Sequence, residues 1–213
     1  MTPDHPRDRI VNAAMDLFWR HGYGATSLSQ IREAAGVQGG SLYHFFKSKE
    51  QLLEAVLDAY LEQMEAVLIQ PIVERHDDPI ERIFALLDGY RQLLAGAGTA
   101  LGCPIGDLAL ESGAEPAAVG EKIAANFAAW RGWVRRWLEE AGARLPGDLD
   151  RDGLATLVLT VMEGGVMQAR AHHSLVPFDA SVAQLRDYIN RLLAEAPPAR
   201  RRTRMRRAQP RRG

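Results

Sequence analysis

One cysteine, Cys103, is all that 213 residues contain, which excludes an internal disulfide framework and a multi-cysteine zinc site. Long apolar runs are missing too. The longest charge-free stretch, 92–106, is broken by Gly96, Gly98, Gly102 and Pro104, so it falls short of the roughly 18 uninterrupted apolar residues a membrane helix needs. The N-terminus carries Asp4 and Asp8 and no apolar core, unlike a signal peptide. A soluble, cytoplasmic protein with no membrane partner is expected. No stretch alternates apolar and polar residues between hairpin turns, so no strand is predicted. G-x-S-x-G, H-E-x-x-H and G-x-x-x-x-G-K are absent, and the spacing of Gly96, Gly98 and Gly102 is not a dinucleotide fingerprint. His172 and His173 are adjacent, which on a helix points them about 100° apart and argues against shared metal ligation. An enzyme, a cofactor and a metal site are not expected.

Charge is present but unevenly placed. The formal net charge is −1, yet residues 200–213 hold eight arginines and no acid, which leaves −9 on residues 1–199. Residues 1–50 carry six basic and five acidic side chains, so the acidity belongs to 51–199. Two regions with different partners are implied. The arginine-rich tail, 197–213, is too charged to pack and is expected to be disordered. It reads either as added non-specific affinity for nucleic acid through counterion release or as a solubilising counterweight to the acidic body.

Helical periodicity runs through the rest. Ile10, Ala13, Ala14, Leu17 and Phe18 share one face, as do Leu53, Leu57, Tyr60, Met64 and Val67. Further stripes are Ile80, Ile83, Phe84, Leu87 and Leu94, then Val119, Ile123, Phe127, Trp130, Val134 and Trp137. Two more follow near the C-terminus, at 154–166 and 182–192. Breaks fall at Gly22-Tyr23-Gly24, Gly36, Pro71, Pro79, 102–104, Pro116, Pro146-Gly147, Pro177 and Pro197-Pro198. An all-α fold of about nine helices is predicted, with boundaries at 7–53, 54–196 and 197–213.

Between 27 and 46 the helices become short. Ser27 is a good N-cap for a helix burying Leu28, Ile31 and Ala35, and Gly36 supplies a left-handed exit. A second short helix runs through Leu42 to Phe46, and Ser48-Lys49-Glu50-Gln51 reads as a capping box opening a long helix. Two short helices joined by a tight turn and packed on a preceding helix define a helix-turn-helix unit. The first residues of its second helix, Gln38, Gly39, Gly40 and Ser41, would face base edges, where Gln reads adenine and Ser several bases.

These segments carry a resemblance. Gly22-Tyr23-Gly24-Ala25-Thr26-Ser27, Ile31-Arg32-Glu33-Ala34-Ala35-Gly36-Val37, and Gly40 through Glu50 (GSLYHFFKSKE) resemble the DNA-binding domain of TetR-family transcriptional regulators. The resemblance implies a homodimer on a partly palindromic double-stranded operator, with Tyr43, His44 and Lys49 contacting phosphates. Thr26 and Ser27, at the start of the preceding helix, would offer a hydroxyl and free N–H groups to another phosphate. It also implies a helical effector-binding and dimerisation domain behind. Gly102-Cys103-Pro104-Ile105-Gly106-Asp107-Leu108-Ala109 with Glu111 is similar to a motif in one branch of the family. That branch holds regulators with small hydrophobic effectors and an electrophile-sensing repressor that uses the motif's cysteine.

In the effector domain, Phe127, Trp130, Trp133 and Trp137 stand a turn apart on one helix and are expected to line an apolar pocket opposite Phe84, Leu87, Tyr90 and Leu108. Cys103 sits at a helix start, where orphan N–H groups would lower its pKa and suit a sensor, or it is simply a small buried side chain. Glu163 and Met167 adjoin the apolar stripe of their helix; Glu163 would hydrogen-bond an effector or pair with an arginine. Leu154, Leu157, Val158, Val161 and Gly165, with Val182, Leu185, Ile189 and Leu192, are expected to form a four-helix dimer interface. The function expected is a repressor released from DNA by a small apolar effector. The rivals are a redox or electrophile sensor acting through Cys103 and a helical small-molecule adaptor that binds no DNA.

Overall fold

The computed structural model describes residues 5–96, 101–111 and 117–195. Ala196, the arginine-rich tail at 197–213 and the breaks at Gly98 and Pro116 lie outside the described residues. Among the described residues every regular element is helical. Three short helices come first: α1 (Pro6–His21), α2 (Leu28–Ala34) and α3 (Gly39–Phe45). The long α4 (Lys49–Met64) leads away from them and runs through a π turn (Glu65–Ile69) into α5 (Gln70–Arg75). Then follow α6 (Pro79–Gly96), α7 (Pro104–Glu111), α8 (Ala117–Glu140), α9 (Arg151–His172) and α10 (Val176–Glu195). Taking the continuous run 49–75 as one helix gives nine.

Pro71 does not end a helix, contrary to expectation. Proline lacks the N–H that a regular turn would use, and the π turn just before it absorbs the defect by shifting the ladder register. That extra residue also rotates Val67 off the apolar stripe to 70% exposure, while Ile69 and Ile72 take the buried side.

The start signals operate as the residue types dictate. Ser27 accepts from Gln30 N–H while the Gln30 side chain accepts from Ser27 N–H, a complete capping box on α2. Ser48 likewise accepts from Gln51 N–H, but the Gln51 side chain reaches one residue further back and accepts from Lys47 N–H at 2.8 Å. Gly36 holds φ +60, the left-handed value that favours glycine, so the chain turns sharply between α2 and α3. Ile10, Val11, Ala14 and Phe18 of α1 bury against Ile31, Leu42, Phe46 and Leu53. Each fully buried side chain of this size contributes about 1.5–3 kcal/mol, which is what holds three short helices together.

Behind this unit, α4 packs on α8, α8 on α9 and on α6, and α9 on α10. Most of the residues expected at the dimer interface are covered by their own chain. Leu154, Val158, Gly165, Leu185, Ile189 and Leu192 are buried within the chain itself. Gly165 shows why: an added Cβ would stand 2.8 Å from the Phe178 ring, so α9 needs glycine to meet the start of α10. Leu157 is 41% exposed, and Val161 and Val182 are half-buried. A stripe of this width serves the fold first, and only its edge remains for a partner.

Candidate DNA-binding surface and effector cavities

On α3, Leu42 is buried and anchors the helix, while Gly40, Tyr43 and His44 are exposed and Ser41 is half-buried. Gln38 is exposed at the N-cap position and makes no capping hydrogen bond, so its amide is not engaged there. With Gly39 as the first helical residue, these groups share the outward side of a helix that Leu42 and Phe46 pin from beneath. Basic groups flank it: the Arg7 guanidinium lies 5.5 Å from the Phe46 ring centroid, and Lys47 Nζ donates to the Tyr43 carbonyl at 2.9 Å.

Two expected phosphate contacts are placed differently. Thr26 is 2% exposed, and its hydroxyl donates to the Gly22 and Leu17 carbonyls, which closes the turn between α1 and α2. Its side chain therefore faces the core, while exposed Ser27 caps α2. Lys49 Nζ donates to the Tyr23 carbonyl and stands 4.1 Å from the Tyr23 ring centroid. That ammonium fixes the corner where α4 leaves the DNA-binding unit.

In the rear domain the aromatic set divides. Trp130, Trp133, Trp137, Leu87 and Leu108 are buried core, with Trp130 edge-on to both Tyr90 and Trp133 at centroid distances of 5.2 and 5.5 Å. Phe84 lines a separate groove, where Arg186 stacks on its ring at 3.7 Å. The expected wall of tryptophans is thus a packing layer, and the space opens elsewhere. One cavity of about 190 Å³ lies between α1, α4, α6 and the 101–104 segment, lined by Met15, Trp19, Tyr60, Met64, Tyr90 and Leu94 among others. A second, of about 320 Å³, lies between α7, α8 and α9, lined by Cys103, Phe127, Glu163, Val166, Met167 and Arg170 among others. Gly102 borders both. Met167, 59% exposed, stands at the rim of the second.

A chain of polar groups connects the two cavities. Tyr60 and Tyr90 hydroxyls are 3.3 Å apart, and the Tyr90 hydroxyl is 3.8 Å from Cys103 Sγ. The thiol and the Glu163 carboxylate line the same cavity. Burial, reinforced by the Glu163 carboxylate, pushes the Cys103 thiol well above the usual thiol range. Of the two readings of Cys103, this favours the small buried side chain over an activated thiolate, because desolvation outweighs the helix-start effect. Burial also raises the Tyr60, Tyr90 and Glu163 pKa values, with Asp107 adding to the rise at Glu163.

Helix α7 touches the DNA-binding unit at both ends. Trp19 Nε1 donates to the Gly102 carbonyl at 2.8 Å, and Gly24 N–H donates to Glu111 Oε2 at 3.0 Å. Its middle is held to α9, where Arg170 donates to both Asp107 oxygens at 3.0–3.1 Å. Sequence reasoning did not single out Trp19 or Arg170 as site residues. Trp19 did carry a signal, being a tryptophan one step off the buried stripe of α1.

Residues 10–56 match the family described as bacterial regulatory proteins, tetR family, and residues 79–184 match the LmrA/YxaF-like transcriptional regulator C-terminal domain. An uncharacterised helix-turn-helix transcriptional regulator of Mycobacterium tuberculosis is 33% identical over 198 residues, covering 90% of this chain and 96% of that protein. The Bacillus subtilis regulator YxaF is 31% identical over 173 residues, 80% of this chain and 88% of that one. A TetR transcriptional regulator of Chloroflexus aurantiacus has a crystal structure that superposes with a TM-score of 0.75 at 32% identity, over 88% of this chain and 96% of that one. A DNA-binding helix-turn-helix transcriptional regulator is the class these findings define. The chain belongs to the TetR family, and its relatives are regulators rather than enzymes. Among the described residues, no helix is long and apolar enough to cross a membrane.

Proposed function

We propose that this regulator is a homodimeric repressor that leaves a two-fold symmetric operator when a small apolar molecule enters the domain behind its DNA-binding unit. The observation that carries this reading is helix α7, which is tethered to the DNA-binding unit at Gly102 and Glu111 and forms one wall of the 320 Å³ cavity. A molecule prising α7 from α9 pulls on both tethers. The population then moves toward a conformer whose two α3 helices no longer match successive major grooves.

Residues 7–53 form the DNA-binding domain in this reading, with Gln38, Gly39, Gly40 and Ser41 on base edges and Ser27, Tyr43 and His44 on phosphates. Residues 54–196 bind effector and partner. Leu157, Val161 and Val182 form the centre of the interface, because they are the members of the two C-terminal stripes that the chain leaves uncovered. Cys103, Phe127, Glu163 and Met167 serve the effector site, and Tyr90 serves the smaller cavity beside it. The likeness of the 102–109 segment to the motif of the branch with small hydrophobic effectors supports this reading. A reversible ligand is favoured over covalent sensing because the Cys103 thiol is buried and held protonated.

The test is a mobility shift on DNA upstream of the protein's own gene. Shifted complexes released by apolar small molecules are expected. Failure to shift that DNA above random sequence at equal salt contradicts the reading.

A further inference from the structure

Among the described residues, two buried side-chain polar atoms have no hydrogen-bond partner, Asn126 Oδ1 and Glu163 Oε1. The first belongs to an amide that spends its nitrogen on the Leu57 and Lys122 carbonyls between α4 and α8. The second belongs to a carboxylate that lines the cavity under α7. A buried acceptor left without a donor is destabilising, and more so when charged. A fold retains such an atom at low cost when something else supplies the donor.

The described residues supply none. One arrangement of protons satisfies the hydroxyls nearby: Tyr60 donates to Tyr90 and Tyr90 to the Cys103 sulfur. Both hydroxyls are then used, which leaves Glu163 Oε1 without a donor from either. Arg170, the cation lining this cavity, gives Nη1 to both oxygens of Asp107. The cavity thus holds two carboxylates and one arginine, with apolar walls from Phe127, Val166 and Met167. Charge of this sign repels an anion and favours a donor.

We propose that the cavity under α7 takes an apolar molecule bearing a hydrogen-bond donor, a hydroxyl or an ammonium, and that this donor reaches the Glu163 carboxylate as α7 moves away from α9. The proposal rests on the effector reading above and adds the chemistry of the ligand. Its volume, about 320 Å³, is that of a small-molecule pocket. Donation to a carboxylate in a water-poor site is among the stronger hydrogen bonds, so discrimination by the donor is expected to be large.

Four probes with one naphthalene body make the test: 2-naphthol, 2-naphthylmethylammonium, 2-methylnaphthalene and 2-naphthoate. Binding is read by calorimetry on the full-length protein without DNA. The two donors are expected to bind at least about tenfold tighter than methylnaphthalene, with naphthoate weakest. Glu163→Met is expected to reduce that preference below about twofold. Glu163→Gln keeps an acceptor carbonyl at similar size, so it should retain the preference for naphthol and lose the advantage of the ammonium. If Glu163→Met fails to fold, Glu163→Gln carries the test. Naphthoate binding as well as the donors, a donor preference that survives Glu163→Met, an ammonium preference unchanged in Glu163→Gln, or no probe bound at millimolar concentration would each overturn the proposal. DNA release is scored separately by mobility shift. Donor-dependent binding that leaves DNA bound contradicts the regulatory reading and keeps the site. Release without donor preference does the opposite.

Discussion

The turn before α2 and the contact between α7 and α9 both bury polar side chains, and they treat them differently. Thr26 is 2% exposed, and its hydroxyl is used twice, on Gly22 and Leu17. Glu163 has an oxygen with no partner at all. The DNA-binding unit satisfies its buried polar groups and presents its unengaged ones, Gln38, Tyr43 and His44, on the surface. The rear domain keeps two unsatisfied atoms inside, Asn126 Oδ1 and Glu163 Oε1, the second on a residue that lines a cavity. One region is built as a rigid reader of an external polymer. The other, in the function proposed above, is built around a small molecule.

Breaking each region should give different symptoms. The largest effect is expected from Leu185→Asp, which buries an unpaired carboxylate at a 4% exposed site and should cost about 3 kcal/mol or more of stability. Leu157→Asp lies on the same pair of helices but on the exposed edge. It should change stability by about 0.5 kcal/mol or less, yet yield monomers by sedimentation and remove specific DNA binding. Equal thermal loss in both variants would erase the distinction between the core side and the partner side of these helices.

On the DNA side, Gln38→Ala should relax preference at one base position per half-site by about 1–3 kcal/mol, read by competition with single-base operator variants. Lys49→Ala should instead lower thermal stability by about 1 kcal/mol, because its ammonium bonds the Tyr23 carbonyl and covers the ring. Equal loss on cognate and random DNA for Gln38→Ala would remove it from the base-reading set.

A smaller effect probes the buried polar chain by pH. The folded state holds the Cys103, Tyr60 and Tyr90 protons because their pKa values are raised. Their contribution is fully present below the unfolded values and is lost as pH rises. Stability should begin to fall above about pH 8.5, where the unfolded thiol ionises, and fall faster above about pH 10 with the unfolded tyrosines. Cys103→Ser should remove the first phase in a thermal denaturation series and leave the second. It should also leave ligand-driven DNA release intact, whereas an inducer to which Cys103→Ser is resistant would point to covalent sensing.

The two regions were unequally legible from residues alone. Helix-turn-helix geometry is local: Ser27, Gly36 and Ser48 mark starts and stops within a few positions, so the unit could be read directly. Apolar periodicity also gave the helices of the rear domain, but it cannot say which neighbour a stripe meets. Trp133 and Trp137 therefore looked like pocket walls and are core, and Leu185 and Ile189 looked like a partner surface and are internal packing. The Pro71 break failed because a π turn is invisible in periodicity. The α7 tethers join residues 83 and 87 positions apart, a separation at which sequence spacing carries no signal.

In the proposed function two copies of α3 read a symmetric site together and a ligand under α7 ends it. Footprinting the upstream DNA with wild type and Leu157→Asp, each with and without 2-naphthol, is the test. Two protected patches about one helical turn apart are expected for the wild type, lost on adding 2-naphthol, and none for the monomer. A footprint that the monomer reproduces, or that persists with the cavity filled, would contradict it.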